Sequence, residues 1–239
     1  MITKKRIFVL GPILSEWSEI CTIAQALNFL SSDDHLEFFD PLEHFLVEKR
    51  ENFLMRWFDR MRVLLKKYDA FFGFSMGGII LQQCFEQTEF RNKKIILFST
   101  PSFVDEDLQE KIEKIWAHLQ KRQLSTAMRL LHSYVSSSDP ILMEHPEHEE
   151  AEHRLMRLQN GFEFVLKTDS RIVLQKTKMP YLHFIGEYSK LVTQKNVITN
   201  LPAKLRIVPS AGMRVLQDNA QDCVERIHHF LQDDHTCMH

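Results

Sequence analysis

Short apolar runs alternate with longer amphipathic stretches along most of the chain. Six short, mainly apolar runs are typical of strands, and they cover residues 7–10, 36–39, 69–74, 94–99, 181–186 and 205–208. Apolar residues return at helical spacing in residues 16–30, 51–67, 76–86 and 221–231. Strands separated by helices predict right-handed crossovers and a mostly parallel, twisted sheet with helices on both faces, which is an α/β fold.

The stretch from Ser102 to Leu174 interrupts this alternation, and we find no convincing strand pattern in it. Two helical stripes of apolar residues stand out, namely Leu108, Ile112, Ile115, Trp116 and Leu119, and then Leu124, Met128, Leu131 and Val135. We therefore predict that residues 102–174 form a helical cap, or lid, over one end of the sheet. Residues 1–101 and 175–239 then form the core domain.

The composition narrows the class of protein. With 239 residues, 44% of them hydrophobic and 26% charged, the chain can build an ample core, which excludes disordered and collagen-like proteins. A formal charge of −2 gives no indication of binding to nucleic acid or to an anionic membrane surface. Four scattered cysteines without a CxxC pair indicate a reduced, cytoplasmic protein.

Glycine is scarce, and its clustering points to a site. Seven of the 239 residues are glycine, fewer than half the usual share of about 7%. Three of the seven flank a serine in the pattern Gly73-x-Ser75-x-Gly77-Gly78, between a predicted strand and a predicted helix. Small residues let strand and helix approach, and the turn then exposes the serine hydroxyl at the start of a helix. The pattern predicts a nucleophile elbow, the alternative being an ordinary strand-to-helix turn.

With this elbow the chain resembles the α/β-hydrolases, and among them the pimeloyl-acyl-carrier-protein methyl ester esterases of biotin synthesis. The resemblance runs from Lys5 to Leu231 and is carried further by residues 96–104, 158–163, 167–171 and 179–182. It implies an α/β-hydrolase fold and a cytoplasmic serine esterase without cofactor or metal. It also implies that Ser75 is the nucleophile and that the N–H of Met76 contributes to the oxyanion hole.

Three positions depart from the pattern that the resemblance implies. The catalytic acid is expected after the strand that ends at Gly186, where this chain has Ser189. The catalytic base is expected after the last strand, where Met213 offers a thioether that cannot accept a proton. The second oxyanion donor falls on Pro12, which has no N–H.

Losing the base of a triad costs up to about 10⁶ in kcat and losing the acid about 10⁴. We therefore expect weak or altered ester hydrolysis at best. The alternative is a catalytically inactive pseudo-hydrolase that binds an acyl or other apolar ligand, or a protein partner.

Other side chains could replace the missing groups. Substitutes for the acid are Asp105, Asp107 and Glu187. Among the histidines, His183 falls inside a predicted strand and is expected in the core, whereas His228 and His229 fall on the last helix and are expected to be solvated. His132 belongs to the cap and could point down at Ser75.

The resemblance also implies a partner, because the esterases dock an acidic acyl-carrier protein on arginines of the cap. Comparable positions here are Arg129, Arg154 and Arg157. Six carboxylates between positions 139 and 153 would repel an acidic carrier, so this run indicates a solvated helix face, a basic partner or a pH-sensitive surface. His148 with Glu152 and Glu149 with His153 have chelating spacing, but without HExxH or a Cys/His ligand set we expect no metal.

Overall fold

The computed structural model describes residues 4–43, 52–136, 148–200 and 203–232, without the side chains of residues 148–150. Six strands of five residues each form one parallel sheet in the order β2-β1-β3-β4-β5-β6. The strands are β1 Arg6–Leu10, β2 His35–Phe39, β3 Ala70–Phe74, β4 Lys94–Phe98, β5 Leu182–Gly186 and β6 Lys204–Val208. Each agrees with a predicted apolar run to within one residue at either end.

Successive side chains along each strand point to opposite faces of the sheet, so the apolar core consists of two clusters, one on each face. On one face, Phe8 and Phe71 belong to the larger apolar cluster, which the cap also joins. On the other face, Ile7 and Phe72 pack with the last helix of the chain. The central strand β3 is buried along its whole length between β1 and β4, so the turn that follows it is held on both sides.

Nine α-helices occur in the described residues, and they are α1 Cys21–Ala26, α2 Phe53–Lys67, α3 Met76–Gln83, α4 Glu106–Gln120, α5 Leu124–Val135, α6 His148–Lys167, α7 Arg171–Lys176, α8 Val215–Asp218 and α9 Ala220–Gln232. The prediction of one helix over residues 16–30 was wrong in detail. Trp17–Ile20 and Asn28–Leu30 are 3₁₀ turns on either side of α1. The reason at the carboxyl end is that Leu27 leaves α geometry, with a ψ of 3°.

The cap segment contains α4 to α7 in the part that the structure describes. The apolar side chains of the cap pack with the sheet, because Leu108, Ile112, Leu158 and Phe162 lie in the same cluster as Phe71. None of the described helices combines the length and apolar character that crossing a membrane requires.

Candidate active site

Ser75 occupies a strained turn between β3 and α3. Its backbone has φ 46° and ψ −111°, a left-handed conformation that costs a residue with a side chain about 1–3 kcal/mol. The turn is held by the Ser75 N–H, which donates to the Phe98 carbonyl at 3.0 Å, and by the Ser75 carbonyl, which accepts from Ile79 N at 3.1 Å. The half-buried serine therefore lies at the carboxyl edge of the sheet and at the start of a helix.

The three glycines around Ser75 are needed for space. A Cβ at Gly73 would lie 2.6 Å from the Gly78 Cα, so the strand and the helix could not cross as closely as they do. A Cβ at Gly77 would collide with the carbonyl oxygens of Leu10 and Gly11. Gly77 also donates its N–H to the Gly11 carbonyl at 3.1 Å, which fastens the elbow to the end of β1.

The oxyanion side of the turn has one suitable donor among the predicted positions. Met76 is the first residue of α3, and the first N–H groups of a helix have no acceptor within it. In the loop after β1, the Gly11 N–H donates to the Phe39 carbonyl at 3.1 Å, and Pro12 has no N–H. Neither Gly11 nor Pro12 can therefore supply a second donor at the serine.

The loops that should carry the acid and the base lie side by side. Glu187 N donates to the Val208 carbonyl at 2.9 Å, and Tyr188 N donates to the Ala211 carbonyl at 2.8 Å. Gly186, where the first of these loops begins, has no room for a Cβ, since one would lie 2.7 Å from the carbonyl carbon of Gly212. Backbone hydrogen bonds thus hold the two loops next to each other.

The side chains at these two positions cannot do acid or base chemistry. Ser189 is 8% exposed, and its Oγ has no hydrogen-bond partner among the described residues. Met213 packs at the margin of the larger apolar cluster. Its carbonyl accepts a hydrogen bond from the Ser99 Oγ at 2.7 Å, and Ser99 is itself strained, with a φ of 45°. Ser99 follows Phe98, the acceptor of the Ser75 N–H, so the base position is tied to the elbow.

The three substitute acids are all engaged elsewhere. The Asp105 side chain caps α4, accepting a backbone N–H at 2.9 Å. Asp107 is exposed and pairs with Lys111 at 2.6 Å. Glu187 is exposed, and its Oε2 accepts from Ser210 N at 3.0 Å, which braces the two loops.

Two of the expectations for histidines agree with the structure. His183 is fully buried, its Nε2 accepts from Thr100 N at 3.3 Å, and burial lowers its pKa to about 3, as befits a neutral core residue. His229 is exposed on α9. His228, on the same helix, is half-buried rather than solvated, with its ring edge-on to Phe29 at 5.4 Å between centroids. Because α9 packs on the face of the sheet away from the cap, neither residue is a base for Ser75.

His132 on α5 is placed differently. The residue is half-buried, and its Nδ1 is buried without a hydrogen-bond partner among the described residues. Burial, and then the positive charge of Arg214, lower the pKa of His132. Arg214 directly follows Met213 in the chain. No hydrogen bond joins the Ser75 hydroxyl to a histidine in the described part of the chain.

Several solved structures share this architecture. An esterase from Exiguobacterium antarcticum is similar with a TM-score of 0.68 at 14% identity, over 97% of this chain and 93% of the esterase. A hydrolase from Oleispira antarctica gives 0.70 at 13% identity, over 97% and 92%. A bromoperoxidase from Bacillus anthracis gives 0.68 at 15% identity, over 97% and 93%. The chain has the α/β-hydrolase fold. No protein-family model and no curated protein matches the sequence, so the likeness is one of fold.

On this hydrolase fold, the cap is fastened to the core by a buried ion pair that the sequence did not suggest. Arg157 on α6 is 3% exposed, and it bonds both carboxylate oxygens of Asp40 at 2.8 and 3.0 Å. Its Nε also donates to the Leu14 carbonyl at 3.1 Å. Arg157 is thus buried and paired within the fold, so its guanidinium is not exposed to a partner protein.

The other two cap arginines differ from each other. Arg154 forms an ion pair with Glu16 in the loop after β1. Arg129 on α5 is exposed and forms no ion pair with any described residue. Of the three predicted docking residues, Arg129 therefore has the accessible guanidinium.

The expected metal and charge features of the cap fall largely outside the described residues. Asp139, Glu144 and Glu147 are not described, nor are the side chains of His148 and Glu149. Glu152 pairs with Arg122, and His153 is exposed. Within the described ranges no group of three or more metal-ligating side chains comes together.

Proposed function

We propose that the chain is a weak serine esterase that hydrolyses carboxylic esters through Ser75. The observation that carries the proposal is the strained backbone of Ser75, with φ 46° in the crowded turn after β3. If this turn served only to join a strand to a helix, glycine at position 75 would remove the backbone strain. Strain of this kind, kept at one residue by close packing around it, is typical of functional sites.

The chemistry follows from the groups that remain. The Ser75 oxygen attacks the ester carbonyl carbon while its proton passes to water, and the developing oxyanion accepts a hydrogen bond from the Met76 N–H. The intermediate collapses with release of the alcohol, and water then hydrolyses the acyl-serine to the carboxylic acid and free Ser75. Ser189 and Met213 supply neither acid nor base, and Pro12 supplies no second donor. Loss of one oxyanion donor costs roughly 10²–10³, and what survives loss of a triad is about 10³–10⁴ over water. Turnover should therefore be slow.

The substrate class is proposed from the resemblance and from the cap. The resemblance favours an acyl ester like that of the pimeloyl-acyl-carrier-protein methyl ester esterases. Leu124, Met128, Leu131 and Val135 of α5 are only partly buried, and they are the part of the cap that we propose to contact an acyl chain. If a carrier protein presents the ester, the exposed Arg129 is the residue we propose to meet it.

A second candidate function is non-catalytic binding of an acyl ligand or of a protein. It is favoured by the side chains at the acid and base positions, because Ser189 and Met213 leave the serine without the usual means of activation. The same scaffold would then hold a ligand near Ser75 without turning it over.

A labelling and turnover experiment tests the first function against the second. The wild type is treated with a serine-directed fluorophosphonate and assayed with short p-nitrophenyl esters, beside Ser75→Ala and the matched control Ser31→Ala. Ser31 is exposed and remote from the elbow, so its variant should behave like the wild type. We expect labelling and slow turnover that disappear in Ser75→Ala alone. Labelling or turnover that survives in Ser75→Ala would refute Ser75 as the nucleophile.

A gain-of-function variant separates the candidates further. Ser189→Asp combined with Met213→His restores the acid and base on loops whose backbones are already joined. We expect the double variant to raise kcat by at least about 10², part of the up to 10⁶ that a triad contributes. A wild type with no turnover, together with a double variant that has it, would support the non-catalytic function.

A further inference from the structure

We propose that the edge strand β2 pairs antiparallel with β2 of a second copy of this chain, so that two copies form a dimer about a twofold axis. The sheet would then run without interruption from one copy into the other. In the strand order, β2 lies two positions from β3, the strand that leads to Ser75. The inference therefore stands apart from ester hydrolysis, and four observations on the described residues lead to it.

The first observation is a set of backbone groups on β2 that β1 does not use. The His35 N–H donates to a carbonyl just before β1 at 2.8 Å, and the Phe39 carbonyl accepts an N–H from the loop after β1 at 3.1 Å. Because alternate residues of a strand direct their backbone groups to opposite edges, those of Leu36 and Phe38 face away from β1. In the described part of the chain no other strand pairs with β2, so these groups are open to an incoming strand.

The second observation is that the two edges of the sheet are protected differently. The other edge strand, β6, has Lys204 and Arg206 exposed, and charged side chains of this kind discourage pairing with another strand. The charged residue within β2 is Glu37, which already forms ion pairs with Arg6 at 3.1 Å and Lys67 at 3.0 Å. Its charge is thus compensated within the chain, and β2 lacks the protection that β6 has.

The third observation is an apolar surface on one face of β2. Leu36 and Phe38 are only partly buried against the smaller apolar cluster. Together with Ala24 and Leu27 they line part of a groove of about 300 Å³. A twofold axis perpendicular to the sheet places matching faces of the two copies on the same side. Leu36 and Phe38 of the second copy would therefore pack against their counterparts beside this groove and bury apolar surface in both copies.

The fourth observation is charge complementarity on the opposite face of β2, and it favours a second copy as the occupant. The Arg60 guanidinium lies over the Phe39 ring, 5.3 Å from its centroid, on the face that also carries Glu37. Antiparallel pairing places Phe39 of one copy opposite or diagonal to Glu37 of the other. Arg60 of each copy is then brought towards Glu37 of the other, so the twofold axis repeats this favourable contact.

Sedimentation velocity of the full chain, over a wide range of protein concentration, tests the proposal. We expect the wild type to form a reversible dimer. Leu36→Lys places a lysine of each copy against the other, and this repulsion should raise the dissociation constant at least about tenfold. Leu205→Lys is the matched control, because Leu205 is likewise the half-buried second residue of an edge strand. That variant should dimerise like the wild type.

A second pair of variants tests the charge complementarity. Arg60→Gln should raise the dissociation constant about two- to fivefold, the effect expected from the loss of an exposed ion pair. Arg62→Gln is its control, because Arg62 is exposed on the same helix and pairs with Asp59. An Arg60→Gln dimer as tight as the wild type would overturn the placement of Arg60 beside Glu37 of the second copy.

Hydrogen exchange measured by NMR on the wild type gives a readout that does not depend on the folding of any variant. In the dimer the Leu36 and Phe38 amides become hydrogen-bonded, so their exchange should slow as protein concentration rises. The amides of Glu37 and Phe39 face β1, and their exchange should change much less. Exchange at Leu36 and Phe38 that is independent of concentration would overturn the proposal.

The remaining outcomes are equally direct. A wild type that stays monomeric at every concentration would overturn the proposal. A dimer that survives Leu36→Lys and is lost in Leu205→Lys would also overturn it, because the interface would then lie on β6. Labelling of Ser75 enters none of these measurements, so failure of the proposed esterase function leaves this inference standing.

Discussion

The buried pair between Arg157 and Asp40 makes a quantitative prediction about how the cap is held. Arg157→Met keeps most of the length of the side chain but removes its charge and its three hydrogen bonds. The Asp40 carboxylate would then stay buried with one recorded bond, from Leu42 N at 2.9 Å. Breaking one partner of a buried pair typically costs about 3–5 kcal/mol. Since domains are stable by about 5–15 kcal/mol, this is a large fraction of the total.

Equilibrium unfolding in urea, followed by tryptophan fluorescence, measures this loss. Trp116 reports on the cap, and Trp57 reports on the core beneath it. Arg171→Met is the matched control, because Arg171 makes a similar two-pronged contact to Asp169 at the surface, and its loss should be much smaller. Arg157→Met combined with Asp40→Leu should recover most of the stability, since the unpaired charge is then gone.

Two results would refute this reasoning. One is a fall of less than about 1 kcal/mol in the free energy of unfolding of Arg157→Met, because losses of that size are typical of exposed ion pairs. The other is a double variant less stable than Arg157→Met, which would mean that the carboxylate of Asp40 contributes without its partner.

Two further predictions concern the elbow and a surface network. Gly77→Ala should destabilise the chain by at least about 2 kcal/mol and lower its soluble yield, because the added methyl meets backbone carbonyls that cannot shift; an unchanged urea midpoint would contradict this. Glu37 has a pKa lowered to about 2, chiefly because the Tyr68 hydroxyl donates to it. A lowered carboxyl pKa stabilises the fold above its ordinary value of 4.5 and loses that effect as pH falls towards 2. Glu37→Gln should therefore lower the urea midpoint at pH 7 and have little effect near pH 2, and an equal effect at both would be evidence against it.

The sheet and the elbow could be predicted from the sequence because local patterns determine them. Each strand lies in a short, mainly apolar run, and the glycine spacing around Ser75 sets how closely β3 and α3 cross. The 3₁₀ turns on either side of α1 could not be predicted in this way. Leu27 continues the apolar period, yet its backbone leaves the helix, and no residue type in that stretch marks the change.

The fastening of the cap could not be predicted from local patterns. Arg157 and Asp40 lie 117 residues apart, and an arginine on a helix looks the same in sequence whether it faces water or a buried carboxylate. His132 is a similar case, being one of twelve histidines in the chain. Its relation to Arg214 arises only when the cap and the end of the core fold together.

The distribution of glycine has a consequence for engineering this chain. None of its glycines has a positive φ, whereas Ser75, Ser99, Arg122 and Ser210 do. Replacing glycine by alanine commonly stabilises a protein by about 0.4–1 kcal/mol, but here six glycines are sites where an added methyl would collide with neighbours. Replacing a residue of positive φ by glycine has two suitable targets, Arg122 and Ser210, because both are exposed and lie outside the elbow. A more thermostable form of this glycine-poor chain would begin by gaining glycines.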